Sequence, residues 1–242
     1  MTMIKTNESG RSMIEMLGVL AIIGVLSVGG IAGYSKAMNK FKTNKVADNV
    51  SMLVANIKTM YAQQNTYQDL TSAVAVTLGV VPDELVVKDD NGNFSRLSNS
   101  FNGAVDIHAA ESTTTGDNRA FVITFSNLSR EACITLATND WGSGYSSGLI
   151  AIRASGTSQA KVDEVKDSSG QITTQGQAAE SSALDTIHIG DDGTAVTGNG
   201  SNGKAIATPG GKNLSVPMSV TDAATACACP KGNFCTVMWK YY

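Results

Sequence analysis

Residues 10–36 read GRSMIEMLGVLAIIGVLSVGGIAGYSK, the longest apolar stretch of the chain. From Met16 to Ser35 it carries no charged side chain. An α-helix needs about 20 apolar residues to cross the roughly 30 Å hydrocarbon core of a bilayer. The stretch therefore predicts a helix that spans a membrane.

A lone carboxylate, Glu15, stands at the entrance of the apolar run, five residues after Gly10. A charge on an apolar helix costs up to about 3 kcal/mol at the bilayer centre and less near its edge, so this position predicts a functional role and an oppositely charged partner. A simple signal anchor, with Lys5 and Arg11 on its cytoplasmic side, gives no reason for Glu15. A secretory signal peptide is also disfavoured, because its apolar region is shorter, about 7 to 15 residues.

The composition bounds the class of protein. Of 242 residues, about 180 to 200 remain beyond the apolar run, enough for one globular domain with a hydrophobic core. A net charge of −3 with 16% charged residues argues against nucleic acid as a partner, because no basic face is available to neutralise phosphates. The four cysteines all follow the apolar run, as expected for disulfides in an oxidising compartment.

The apolar run continues into a longer helical pattern. Residues 12–61 contain no proline and predict one helix about 75 Å long at 1.5 Å per residue. Its second half carries apolar residues at spacings of four and three: Val46, Val50, Leu53, Ile57 and Met60. We therefore expect apolar surroundings on all sides of the first half and a domain against one side of the second half.

The rest of the chain predicts a mixture of short helices and strands. Helices are expected up to Leu78, from Ser129 as N-cap to Ala137, and over 222–227. Strands are expected over 105–107, 121–125, 149–152 and 234–242, with turn chemistry at 89–93. The polar region 154–212 predicts a flexible surface, with a helix near 177–184, a short strand over 187–189 and a loop or hairpin over 190–212.

Gly10, the residues RSMIE that follow it and the apolar run resemble the class III signal of the type IV pilin superfamily. The resemblance implies that a membrane peptidase cuts between Gly10 and Arg11, methylates the amino group of Arg11 and leaves Glu15 as the fifth mature residue. Members of this superfamily assemble into filaments, and the resemblance implies that Glu15 would offset the positive amino terminus of a neighbouring subunit there. Mature chains of this superfamily usually begin with Phe, Met or Leu, where this sequence has Arg11.

The globular part carries the resemblance further. The segments TLGVVPDELV, NSFNGAVDI and FVITFSNLSREACITLA, with a cysteine-bearing helix before a final strand, are similar to type IVb pilins. They resemble above all the thin-pilus pilins of conjugative plasmids and, more distantly, the bundle-forming pilins. The implied fold is α+β: a long N-terminal helix packed on an antiparallel sheet domain that has short helices and disulfides.

The resemblance implies four consecutive parts. These are a cleaved leader, 1–10; a transmembrane and assembly half of the helix, 11–36; an amphipathic half, 37–61; and a globular domain, 62–242. The flexible surface region, 154–212, is predicted from its composition alone and has no counterpart in the resemblance.

Four cysteines permit three pairings. Cys227 and Cys229 are too close in sequence for an unstrained bridge to each other, which leaves two arrangements. The resemblance implies Cys133–Cys227 with Cys229–Cys235, while Cys133–Cys229 with Cys227–Cys235 stays open. The bridge between Cys133 and Cys227 would enclose about 94 residues and contribute roughly 4 to 5 kcal/mol by chain entropy. The absence of a histidine near these cysteines disfavours a zinc site.

The sequence offers little for catalysis. His108 and His188 are its two histidines, and no nucleophile motif, phosphate loop or metal-ligand cluster surrounds either of them. Each is expected to be a surface or strand histidine. We therefore predict a protein that is not an enzyme and that uses no cofactor and no metal.

The function that the resemblance implies is structural. The chain would polymerise with copies of itself into a surface filament for adhesion, aggregation, mating or motility. Its other partners would be a prepilin peptidase, the pilus assembly platform with its ATPase, and the inner membrane before export to an extracellular pilus. The alternatives are a minor pilin or pseudopilin of a type II-like secretion system, and a membrane-anchored periplasmic binding domain.

Overall fold

The computed structural model describes residues 13–142, 147–156, 184–185, 217–229 and 235–242, and the backbone of 204–207. The chain forms two compact units, Met1–Phe41 and Lys42–Tyr242. The first contains the apolar part of the long helix, and the second contains its amphipathic part and a β-sheet.

The predicted long helix is confirmed. Helix α1 runs from Met13 to Met60, and its 48 residues give a length of about 72 Å. In the second unit, Val46, Val50 and Leu53 are fully buried, and so is Ile57. The sequence expectation was wrong for Met60, which is 46% exposed. At 100° per residue Met60 lies about 50° from the centre of this stripe, and the helix ends there.

Two polar contacts fix the amphipathic part of α1 against the segment that follows it. The side-chain amide of Asn56 donates a hydrogen bond to the carbonyl oxygen of Val80 at 2.9 Å. Lys45 forms an ion pair with Glu84 at 2.8 Å. Because both side chains of this ion pair are more than a third exposed, it contributes little to stability compared with the buried stripe.

The domain is built on one antiparallel sheet. Its strands are β1 (Val86–Lys88), β2 (Phe94–Ser98), β3 (Ala104–Ala110), β4 (Ala120–Leu128), β5 (Leu149–Ser155), β6 (Lys204–Ala207) and β7 (Cys235–Tyr241). Their order is β1-β2-β3-β4-β7-β5-β6, so the C-terminal strand lies inside the sheet between β4 and β5. Short helices α2 (Ser72–Thr77), α3 (Arg130–Thr138) and α4 (Val220–Ala226) and a 3₁₀ turn (Asp83–Leu85) complete the described elements.

Most of the predicted short elements are confirmed, and some strands are longer than expected. Ser129 caps α3 by accepting a hydrogen bond from the amide of Ala132, as its position predicted. The predicted turn at 89–93 is confirmed as well, since the carboxylate of Asp89 accepts hydrogen bonds from two amides within it. The hairpin of β1 and β2 around this turn was not predicted, because its strands are short and carry no clear alternation.

Strands β4 and β7, which lie side by side in the middle of the sheet, are buried on both faces. One face, with Phe121, Ile123 and Trp239, forms a single core with the buried stripe of α1. The opposite face is termed here the second face, and it carries His108, Val122 and Lys240 in register across β3, β4 and β7. A smaller apolar cluster lies there and includes Leu184. The expected strand at 187–189 and most of the expected helix at 177–184 lie outside the described residues.

A tight turn between β2 and β3 depends on glycine. The side-chain oxygen of Asn99 accepts hydrogen bonds from the amides of Phe101 and Gly103, at 2.8 and 3.2 Å. The amide group of the same side chain donates to the carbonyl oxygen of Ser126. A Cβ atom at position 103 would collide with that carbonyl oxygen and with the Cβ of Asn127. A carbonyl oxygen and a Cβ atom are both held in place by the backbone, so neither can move aside unless the strand shifts.

We expect Gly103→Ala to lower the free energy of unfolding by about 2 to 4 kcal/mol, because strand β4 must shift to admit the methyl group. Gly79→Ala is the matched control: its φ of +71° strains alanine, but its Cβ would meet no atom within 4 Å. The control should lose only about 1 to 2 kcal/mol. Urea unfolding of both variants measures the difference. Equal losses would show that the collision at Ser126 does not matter.

Candidate assembly and anchoring site

The apolar part of α1 is exposed throughout its described length. Every described side chain from Met13 to Ala37 is exposed, and Ile14 and Leu26 retain 78% and 69% of their accessible surface. By length and composition, this part of the helix is apolar enough to cross a membrane. Water does not tolerate an apolar surface of this extent, so the helix requires lipid or other protein around it.

Five glycines interrupt this part of the helix: Gly18, Gly24, Gly29, Gly30 and Gly33. A Cβ atom built at any of them would meet nothing within 4 Å. Each glycine costs about 1 kcal/mol relative to alanine in a helix. Packing among the described residues does not offset that cost. Small residues allow helix backbones to approach each other closely in membranes and bundles.

Glu15 lies in the first turn of α1. Among the described residues no cation contacts its carboxylate. A carboxylate in a first turn gains about 0.3 to 1 kcal/mol from the helix dipole. This gain is smaller than the cost of holding an unpaired charge beside hydrocarbon, so it does not by itself account for the residue. Gly10 and Arg11 lie outside the described residues, and cleavage and methylation there stay predictions.

The structure joins Cys133 to Cys227 and Cys229 to Cys235, the two pairs that the resemblance implies. The Cα atoms are 5.9 and 5.7 Å apart in the two bridges. Cys133 lies on α3, Cys227 follows α4, and Cys235 begins β7. The first bridge therefore joins α3 to the end of α4, and the second joins the segment after α4 to β7. The sulfur atoms of Cys133, Cys227 and Cys235 lie within 4.8 Å of one another. Because all three are in disulfides, they offer no thiolate to a metal.

His108 is a strand residue, as predicted, but its surroundings were missed. Its imidazole lies between the carboxylates of Asp106 and Asp185, 2.7 and 2.8 Å away. Asp106 could have been found, because residues two apart on a strand share a face. Asp185 could not, since it is 77 residues away in a region that gives no local signal. His188 lies outside the described residues.

Comparison with known proteins finds one family model and several related pilins. A family model described as "PilS N terminal" matches residues 40–189. The major structural subunit of the bundle-forming pilus of Escherichia coli O127:H6 is 27% identical over 138 residues, which are 57% of this chain and 68% of that protein. The toxin coregulated pilin of Vibrio cholerae is 27% identical over 155 residues, 63% of this chain and 65% of that protein.

Among solved structures, TcpA, a type IV pilin from the El Tor biotype of Vibrio cholerae, aligns with 83% of this chain and 99% of its own. The TM-score is 0.46 and the sequence identity is 18%. The family model covers more than half of the 242 residues and includes part of α1 and most of the sheet. The chain therefore belongs to the PilS N-terminal family of type IV pilins.

Proposed function

We propose that this chain is the major subunit of a bacterial type IVb-like pilus and that it polymerises through α1 into a surface filament. The observation that carries the proposal is the exposed apolar half of α1, which precedes a disulfide-bonded domain. The relatives named as pilus subunits support the structural role. A structural subunit of this kind needs no catalytic group, cofactor or metal.

The apolar half of α1 serves two environments in turn. Before assembly, lipid of the inner membrane covers it, and the disulfides of the domain require the oxidising side of that membrane. During assembly, helices of neighbouring subunits replace the lipid. The contact is heterologous and repeats along an open helix, so the number of subunits is not limited by closure. The five glycines allow those helices to approach closely.

Charge pairing sets the register of the added subunit. The free amino terminus of Arg11, created by cleavage after Gly10, carries a positive charge. A buried carboxylate is tolerated only when it is paired, so Glu15 of one subunit and the amino terminus of its neighbour must meet. The proposed partners are a prepilin peptidase, which cuts and methylates the chain, and an assembly platform with its ATPase, which extracts it from the membrane.

Mass measurement of the mature amino terminus tests the proposal. Protein purified from membranes or filaments should begin at Arg11 and carry one methyl group on its amino nitrogen. Gly10→Val is the control variant, because a bulky residue before the bond should block the cut and leave the leader attached. An intact amino terminus in the unaltered chain would instead support a membrane-anchored periplasmic domain.

Electron microscopy of sheared surface material separates a major pilin from a minor pilin or pseudopilin. A major subunit should form long filaments in which this chain is the principal component. Short or absent filaments, with the chain retained in the membrane, would favour the secretion-system alternative.

A further inference from the structure

Two residues of the polar region 154–212, Leu184 and Asp185, lie against the second face of the sheet. Leu184 is fully buried and packs in one cluster with Val122 of β4 and Met238 of β7. Their position is therefore fixed by burial as well as by polar contacts. Because Leu184 and Asp185 follow β5 by almost thirty residues, a specific interaction must hold them there.

The backbone of this segment is bound by β7 and by the residue after β3. Lys240, fully buried on β7, donates hydrogen bonds from its ammonium to the carbonyl oxygens of Leu184 and Asp185, at 2.6 and 2.8 Å. The amide of Glu111 donates to the same carbonyl oxygen of Asp185 at 3.1 Å. These contacts bind the peptide group and do not involve the side chain of residue 185.

The side chain of Asp185 makes a different contact. Its Oδ1 lies 2.8 Å from Nε2 of His108, whose Nδ1 lies 2.7 Å from Oδ2 of Asp106. Ionised carboxylates only accept hydrogen bonds, so both ring nitrogens must donate, and only the protonated imidazolium can do this. Ser72 holds the far side of the network by donating to Oδ1 of Asp106 at 3.3 Å. With both aspartates ionised, this geometry places a positive charge on His108.

We propose that His108, Asp106 and Asp185 form an ionic clasp that holds Leu184 and Asp185 on the second face of the sheet, and that loss of the imidazolium proton releases them. The clasp would be closed at neutral pH and open in alkaline solution. It would fix Leu184 and Asp185 against strands β3, β4 and β7 of the sheet.

The charges around the imidazole agree with a clasp that opens only in alkaline solution. Burial by itself lowers the pKa of His108, but hydrogen bonds to Asp106 and Asp185 and their negative charges outweigh it and raise the pKa to about 9. Lys240 faces the segment from β7 and binds its carbonyl oxygens. The carboxylate of Glu111 accepts a hydrogen bond from the amide of Gly116 at 2.8 Å. Among the described residues, the two aspartates are thus the charges that contact the ring.

The sign of the pH dependence follows from linkage. A histidine has a pKa of about 6.5 in an unfolded chain. Because folding raises the pKa, the clasp contributes its full stabilisation below about pH 6.5 and loses it as the pH rises through about 9. The segment is therefore expected to stay attached at neutral pH and to detach over the range above it.

Hydrogen exchange of the Glu111 amide, which donates to Asp185, reports whether the clasp is closed. The full chain in detergent is measured at several pH values, and rates are corrected for the intrinsic pH dependence of exchange. In the unaltered chain we expect protection to fall at least tenfold between pH 7 and pH 10. Asp185→Asn should lose at least tenfold at pH 7 and show little further change. The control Asp90→Asn, in an exposed turn, should match the unaltered chain.

A direct titration of His108 by NMR gives a second readout that needs no destabilising variant. Its ring resonances, assigned by their loss in His108→Asn, should titrate well above pH 6.5 in the unaltered chain and lower in Asp185→Asn. A midpoint near 6.5 in the unaltered chain would overturn the proposal. So would protection at Glu111 that stays constant with pH or is unaffected by Asp185→Asn. If Asp185→Asn does not fold, the two pH series on the unaltered chain still decide.

Discussion

A chain carrying Glu15→Ala is expected to be cleaved after Gly10 and to reach the membrane, yet to form no detectable filaments. The carboxylate costs free energy beside lipid, up to about 3 kcal/mol at the bilayer centre. Its removal therefore favours the membrane-embedded monomer. In the filament, the same removal leaves the amino terminus of a neighbouring subunit as a buried, unpaired charge, which costs about 3 to 5 kcal/mol. Both effects oppose assembly.

Two further substitutions at Glu15 separate charge from shape. Glu15→Gln keeps the size of the side chain and removes its charge, so it should block filaments as completely as alanine does. Glu15→Asp keeps the charge on a shorter side chain and should retain part of the assembly. Filament yield is measured on sheared surface material, and processing is measured by the mass of the amino terminus. Normal filaments from Glu15→Gln would remove the charge pair from the mechanism.

Removal of the long disulfide is expected to have the largest effect on the stability of the domain. Replacing Cys133 and Cys227 together by alanine frees two residues that are 94 apart in sequence. The chain-entropy estimate for such a loop is about 4 to 5 kcal/mol. Because the bridge joins α3 to the end of α4 within the core, the free energy of unfolding should fall by about this amount. Urea unfolding of the full chain, oxidised and in detergent, measures it.

The short disulfide provides the matched control. Cys229 and Cys235 are 6 residues apart, and the same estimate gives about 2 kcal/mol for their replacement by alanine. Each pair is replaced together, so that no free thiol is left to form a wrong bridge. If the two double variants lose equal stability, loop length does not control the effect and a direct packing role of the sulfur atoms must be considered instead.

Features that depend on neighbouring residues could be predicted from the sequence. The uncharged run after Glu15 predicted the exposed apolar helix, because its length and composition suffice. The spacing from Val46 to Ile57 predicted the buried stripe, since 3.6 residues complete a helical turn. Ser129 predicted the start of α3 because a hydroxyl can accept a hydrogen bond from an amide three residues later. Gly10 and Arg11 were assigned by resemblance and await their test.

Features that join distant segments became visible only after folding. Nothing local in the residues of β7 places that strand between β4 and β5, because strand order is decided by which pairing buries both faces best. The same holds for His108 and Asp185, which are 77 residues apart. A short-range sequence pattern reflects contacts between residues that are close along the chain. It carries no information about a contact with a residue that is distant in sequence and comes near only after folding.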